Sequence, residues 1–140
     1  MSGTVACPAC ERRNRVPVVT RGRPRCGVCT AHLPWLVDAT ADEFAEAIEQ
    51  SSVPVLVDLW APWCGPCKAV APALEQLAAD LAGRLRVVKV DVDRAPEVSA
   101  RLGVQGIPTM VLYDDGEEIA RQVGAMPGPA IRRWVEEELA

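Results

Sequence analysis

The 140-residue chain is 49% apolar and 24% charged, enough to close one compact core and leave a small appendage. No uninterrupted apolar run reaches the roughly 18 residues of a membrane span, and the N-terminus lacks the apolar stretch of a secretory signal; these features predict a cytoplasmic protein that does not enter a membrane. The net charge of -4 is unevenly spread, with six Arg against one Glu in residues 1–34 and nine basic against eighteen acidic groups in residues 35–140. All six cysteines fall in CxxC pairs, Cys7/Cys10, Cys26/Cys29 and Cys64/Cys67. In a reducing compartment such pairs point to metal binding or redox catalysis.

Residues 1–34 show little periodicity and are rich in Arg, Pro and Cys, so a metal must supply much of their order. They read as a zinc-ribbon-like module, followed by a second domain over 35–140. Leu33 to Val37 offers a first strand, and Thr40 with Glu43 forms a capping-box pattern that opens a helix over 41–50. Val53 to Trp60 reads as a buried strand interrupted only by Asp58. Val70, Leu74, Leu77 and Leu81 mark one stripe of a helix starting near Cys64, with a kink expected at Pro72. Leu85 to Val92 is a strand, Ala95 to Leu102 a short helix, and Thr109 to Tyr113 a strand that turns at Asp114-Asp115-Gly116. Its partner is Glu118 to Val123, and a last helix runs from Pro129 to Leu139, with Trp134 on its packed side and Glu136 to Glu138 at a solvated end. The order β-α-β-α-β-α-β-β-α predicts an α/β fold, a mixed central sheet flanked by helices on both faces.

A CxxC where a buried strand meets a helix sets the first sulfur beside unpaired backbone N–H groups and the positive end of the helix dipole. Cys64 is then the exposed attacking thiolate, and Cys67, one turn later, displaces the product from the mixed disulfide. Pro66 suits the first helical turn, where an N–H has no partner to lose, and Gly65 lets another chain approach. The plainer alternatives are half of a metal site or an inert pair.

The run Trp60-Ala61-Pro62-Trp63-Cys64-Gly65-Pro66-Cys67-Lys68 resembles the active-site signature of thioredoxins, and the likeness extends from about residue 36 to the C-terminus. It implies the thioredoxin fold and reduction of protein disulfides. It also implies electrons drawn from NADPH through a thioredoxin reductase, with no bound organic cofactor, in a monomer whose partners are that reductase and disulfide-containing proteins. Asp58 matches the buried acid that takes and returns the proton of the resolving cysteine, and a carboxyl in an apolar strand should have a raised pKa. Lys89 matches the lysine facing that acid across the sheet. Ile107 and Pro108, in Gly106-Ile107-Pro108-Thr109, match the segment opposite the cysteines, where the proline follows a cis bond and the preceding backbone receives substrate. Gly124, Trp63 and Pro62 match the rim of that docking surface. Without the resemblance, Asp58 reads as a buried hydrogen-bonded carboxyl, Lys89 as a sheet-edge lysine and Pro108 as a trans turn proline.

Cys7-Pro8-Ala9-Cys10, fifteen residues, then Cys26-Gly27-Val28-Cys29 is the spacing of two zinc knuckles converging on one tetrahedral site of four thiolates. One zinc held by Cys7, Cys10, Cys26 and Cys29 would lower the appendage's charge of +5 to roughly +3. With Asn14-Arg15-Val16-Pro17, the layout resembles the N-terminal extension of the bacterial thioredoxin-2 type, although Glu11 and Thr30 stand where zinc ribbons often carry glycine. In that group metal loss is implied to tune activity or sense oxidation. His32 is a substitute ligand only if a cysteine is not used. The scattered arginines, with no aromatic platform beside them, argue against a nucleic-acid partner. Two rival functions fit the same residues: a zinc-dependent binding or chaperone module with a redox switch, and a disulfide oxidase or isomerase. The missing signal and the Gly-Pro between the cysteines argue against the second.

Overall fold

The computed structural model describes residues 3–19 and 22–140, so Arg21 of the basic N-terminal set lies outside the described residues. The N-terminal segment contains a two-stranded antiparallel hairpin, Gly3–Ala6 (β1) with Arg13–Val16 (β2), which the sequence pattern does not suggest. Its connection is the first CxxC turn. There the Cys7 N–H bonds the Arg12 carbonyl and the Glu11 N–H bonds the Cys7 carbonyl. The second CxxC repeats this geometry, with the Cys26 N–H on Ala31 and the Thr30 N–H on Cys26. Glu11 and Thr30 sit at φ of 67° and 64°, the left-handed region that favours glycine. The chain keeps a glycine-type turn at the two positions where it departs from glycine.

The remaining elements follow the expected order: Trp35–Asp38 (β3), Ala41–Glu49 (α1), Val55–Trp60 (β4), Gly65–Asp80 (α2), Arg86–Asp91 (β5), Pro96–Arg101 (α3), Thr109–Asp114 (β6), Glu117–Val123 (β7) and Gly128–Leu139 (α4). The capping box closes as read, since Thr40 Oγ1 accepts from the Glu43 N–H and Glu43 Oε1 accepts from the Thr40 N–H. Pro72 falls inside α2 and does not end it. The five-stranded sheet has the order β3-β5-β4-β6-β7, with β3, β5 and β4 parallel and β6 and β7 antiparallel to their neighbours. Alternation along β4 sends Val57 and Leu59 toward α1 and α3, and Leu56 toward α2 and α4. Asp58 shares the parity of Leu56 and therefore lies on the α2 side.

The N-terminal module shares a core with the sheet. Cys7, Val16, Val18, Cys26 and Leu33 pack in one apolar cluster with Trp35, Val37, Phe44 and Ile48. Trp35 is the joint: its indole N–H donates to the Pro17 carbonyl at 3.0 Å, and the Arg86 guanidinium lies 4.2 Å from its ring centroid. Arg86 in turn donates to the carbonyl of Ala47 at 2.8 Å, in the last turn of α1, where a cation suits the helix dipole. Burial pulls the Arg86 pKa down to about 10. Beyond α2, Gly83 at φ 82° leaves room for the His32 ring, which stands 2.7 Å from where a Cβ would be, and Arg23 donates to the Gly83 carbonyl. Among the described residues no helix is long and apolar enough to cross a membrane.

If this joint carries the packing between the two parts, Trp35→Ala should destabilise the whole chain by about 3–5 kcal/mol and Trp35→Phe by about 1 kcal/mol. Urea unfolding followed by circular dichroism measures both. An unchanged midpoint for Trp35→Ala would contradict the shared core.

Candidate functional site

β4 delivers the chain to the C-terminal edge of the parallel strands, where open α/β sheets place their sites. Cys64 is the N-cap of α2, with extended backbone at φ -87° and ψ 107°, so its sulfur lies over the first turn of the helix. The Cys67 N–H points at Cys64 Sγ at 3.2 Å, and the Cys64 N–H bonds the Ala61 carbonyl. Pro66 occupies the first turn without the loss of a hydrogen bond. Cys64 and Cys67 are joined as a disulfide, which makes this the oxidised form. Cys64 is 5% exposed and Cys67 2%, so the first sulfur is the more accessible, but it is an edge at the surface and not the openly exposed group expected from the sequence.

Opposite the pair, the Ile107–Pro108 bond is cis, and the Ile107 carbonyl oxygen lies 3.9 Å from Cys64 Sγ. The Gly124 N–H bonds the Pro108 carbonyl at 2.8 Å; its φ of 97° needs glycine, and the space a Cβ would fill is open. Gly65 likewise has open space at its Cβ position. Trp63 is 70% exposed and is steadied by its indole N–H on Asp93 at 2.8 Å. These residues form a shallow apolar rim around one sulfur. The sequence reading missed Asp93, because its approach to Trp63 arises only when the β5–α3 loop closes on the site, and it missed the exposed Val123 next to Gly124.

Asp58 is fully buried, and neither carboxylate oxygen has a hydrogen-bond partner among the described residues. Burial pushes its pKa up to about 6, although Lys89 opposes the rise and Asp38 adds to it. Lys89 stands at the same level on β5, but it forms no contact ion pair with Asp58; its ammonium rests 4.6 Å from the Trp60 ring centroid.

At the other end, the sulfurs of Cys7, Cys10, Cys26 and Cys29 all lie within 4.8 Å of one another. Cys7 and Cys29 approach to 3.5 Å and Cys10 and Cys26 to 3.6 Å, close to the about 3.8 Å separation that tetrahedral Zn–S bonds of about 2.3 Å require. The backbone N–H groups of Cys29 and Val28 pull the Cys26 pKa down to about 6. For Cys10 the Arg12 N–H acts in the same direction, but burial and the three neighbouring thiols outweigh it and push the pKa up to about 12. Four such thiols shed their protons together only beside a cation, so the cluster could hold a metal ion. Asn14 braces it, accepting from the Gly27 N–H at 3.0 Å and donating to Cys26 Sγ at 3.5 Å. His32 packs against Gly83 and is not among the clustered ligands.

The family model for thioredoxin matches residues 35–137. The chain belongs to the thioredoxin family. It is 40% identical over 97 residues to the thioredoxin of Haemophilus influenzae, covering 69% of this chain and 91% of that protein. With thioredoxin 1 of Chlorobaculum tepidum the identity is 47% over 95 residues, 68% of this chain and 94% of the relative. Thioredoxin C-3 of Corynebacterium nephridii is 36% identical over 138 residues, 96% of this chain and 94% of the relative. The thioredoxin domain makes the chain a protein-disulfide reductase, an enzyme of thiol-disulfide exchange.

The buried carboxyl of this thioredoxin domain lowers stability at neutral pH. Its folded pKa of about 6 exceeds the ordinary 3.8, so between these values the native state binds more protons than the unfolded state, and stability falls as pH rises through that window. Asp58→Asn should therefore stabilise the oxidised protein at pH 8, by something on the order of 3 kcal/mol, with the difference closing by pH 4. Denaturant unfolding at the two pH values measures it. An equal difference at both would contradict the assignment.

Proposed function

We propose that this chain is a cytoplasmic protein-disulfide reductase of the thioredoxin-2 type, a zinc module over residues 1–34 on a thioredoxin domain over 35–140. The observation that carries the redox reading is the Cys64 sulfur at the N-cap of α2, accepting the Cys67 N–H and facing the Ile107 carbonyl. In the reduced form the same N–H and the helix dipole favour a Cys64 thiolate. That thiolate attacks one sulfur of a substrate disulfide, which expels the other substrate thiolate and leaves a mixed disulfide. Asp58 takes the proton of Cys67, and the Cys67 thiolate attacks Cys64 Sγ, releasing the second substrate thiol and closing the Cys64–Cys67 bond. Two electrons and two protons pass to the substrate. A thioredoxin reductase charged by NADPH restores the dithiol.

The substrate lies along the Ile107 backbone beside Pro108, over Gly65, Pro66 and Gly124, with Trp63 as the apolar wall. Lys89 opposes the desolvation of Asp58. The alignment with thioredoxin C-3, which extends over the N-terminal residues, supports the longer type. Cys7, Cys10, Cys26 and Cys29 hold one structural zinc, which would cross-link the two knuckles and add no redox step of its own.

Insulin-disulfide reduction with thioredoxin reductase and NADPH, and separately with a chemical dithiol, tests the enzyme. Turnover should fall to background in Cys64→Ser and in Cys67→Ser. An intact insulin signal with the native chain under both donors would defeat the reading. Metal analysis of the reduced protein should give one zinc per chain, lost in Cys26→Ala; a metal-free native chain would remove the zinc assignment.

A further inference from the structure

Lys89 faces two carboxylates. The parallel registers set Asp38 of β3, Lys89 of β5 and Asp58 of β4 at one level, and registered residues share a face of the sheet. With strands about 4.8 Å apart, the two acids stand roughly 10 Å from each other with the lysine between them. On the far side of Asp58 the neighbour is Met110 of β6. The buried side of α2 brings one titratable group to this face, Cys67, and the buried side of α4 brings Ile131, Trp134 and Val135, which do not titrate.

A cavity of about 350 Å³ opens at the Asp38–Lys89 end of this row, with Asp38, Trp60, Lys89, Asp91 and Arg94 in its wall, and Asp58 lies outside it. Asp91 is already engaged, 3.9 Å from Arg94 and accepting the Asp93 N–H at 2.9 Å. Asp38 is exposed, and no cation among the described residues stands at ion-pair distance from it. Lys89 is held on the Trp60 ring and is in contact with neither acid.

We propose that Asp38 is a positioning residue for the redox reaction: across Lys89 it takes up part of the lysine's charge and so sets the pH at which Asp58 exchanges its proton. The proposal rests on the reading of Asp58 as proton acceptor for Cys67. With Asp38 ionised and Lys89 charged, the row is neutral while Asp58 keeps its proton, and ionising Asp58 leaves an excess negative charge where little solvent reaches. Without Asp38 the lysine's charge acts on Asp58 alone, and the ionised form is favoured. Thr40 and Ala39, also in the cavity wall, add no charge.

The test follows the Asp58 carboxyl carbon by NMR across pH in the reduced protein. Asp38→Asn should lower the Asp58 midpoint by about 0.3 to 1 pH unit, and Asp38→Glu should restore it. The difference should shrink in 1 M salt, because an exposed charge is screened and a packing change is not. It should also change in size in a Lys89→Met background, since coupled residues do not add. A midpoint that does not move, a shift that persists in salt, or one indifferent to Lys89→Met overturns the proposal. The underlying reading is separated by Asp58→Asn: full insulin reduction by that variant removes the acceptor role and leaves the measured Asp38 effect standing. An unmoved midpoint removes the Asp38 proposal and leaves the acceptor role.

Discussion

The hydrogen bond from the Cys67 N–H to Cys64 Sγ is the contact on which the working end of this protein depends. It exists because β4 ends where α2 begins, so that a sulfur occupies the place usually given to a serine or aspartate oxygen at a helix N-cap. The pairing of β4 with β6 then brings the sulfur opposite the Ile107 carbonyl, which lies just before the cis bond to Pro108. The sheet, in this sense, is a ruler that sets three short segments around one atom. Sites carried on the ends of rigid elements hold such spacing better than sites on loops.

The same sheet carries two buried charged residues, with different consequences. Arg86 sits on the α1 face, stacked on Trp35 and bonded to the Ala47 carbonyl, and ties the N-terminal module, α1 and β5 into one body. Asp58 sits on the α2 face with no hydrogen-bond partner among the described residues. The first is compensated and structural. The second is uncompensated: burial raises its pKa, so its ionisation at neutral pH works against the fold.

Much of the fold could be read in the chain order because its signals are local: the Thr40–Glu43 capping box, the apolar stripe of α2, and the Asp114-Asp115-Gly116 turn between β6 and β7. β1 and β2 escaped notice because strands of four residues carry no reliable alternation, and their order derives from the CxxC turns and the core beneath them. Resemblance supplied the pairing of Asp58 with Lys89 and the cis bond at Pro108, which no spacing reveals. What stayed hidden was long-range. Asn14 on Cys26, Asp93 on Trp63, Pro17 on Trp35 and Asp38 beside Lys89 join residues whose sequence neighbours announce nothing. Trp60, Ala61, Val92 and Ile107, from the end of β4 and the loops around it, pack on the pair and leave Cys64 only an edge to solvent.

The central claim is that one sulfur attacks and the other resolves, and trapping measures that division directly. A Cys67→Ser chain cannot release its mixed disulfide, so incubation with an oxidised protein substrate should leave a covalent adduct. Peptide mapping should place that adduct on Cys64, and a dithiol should reverse it. Cys64→Ser should trap little under the same conditions, since Cys67 is the more deeply buried sulfur. Adducts that form on Cys67 as readily as on Cys64, or none on Cys64, would contradict the account.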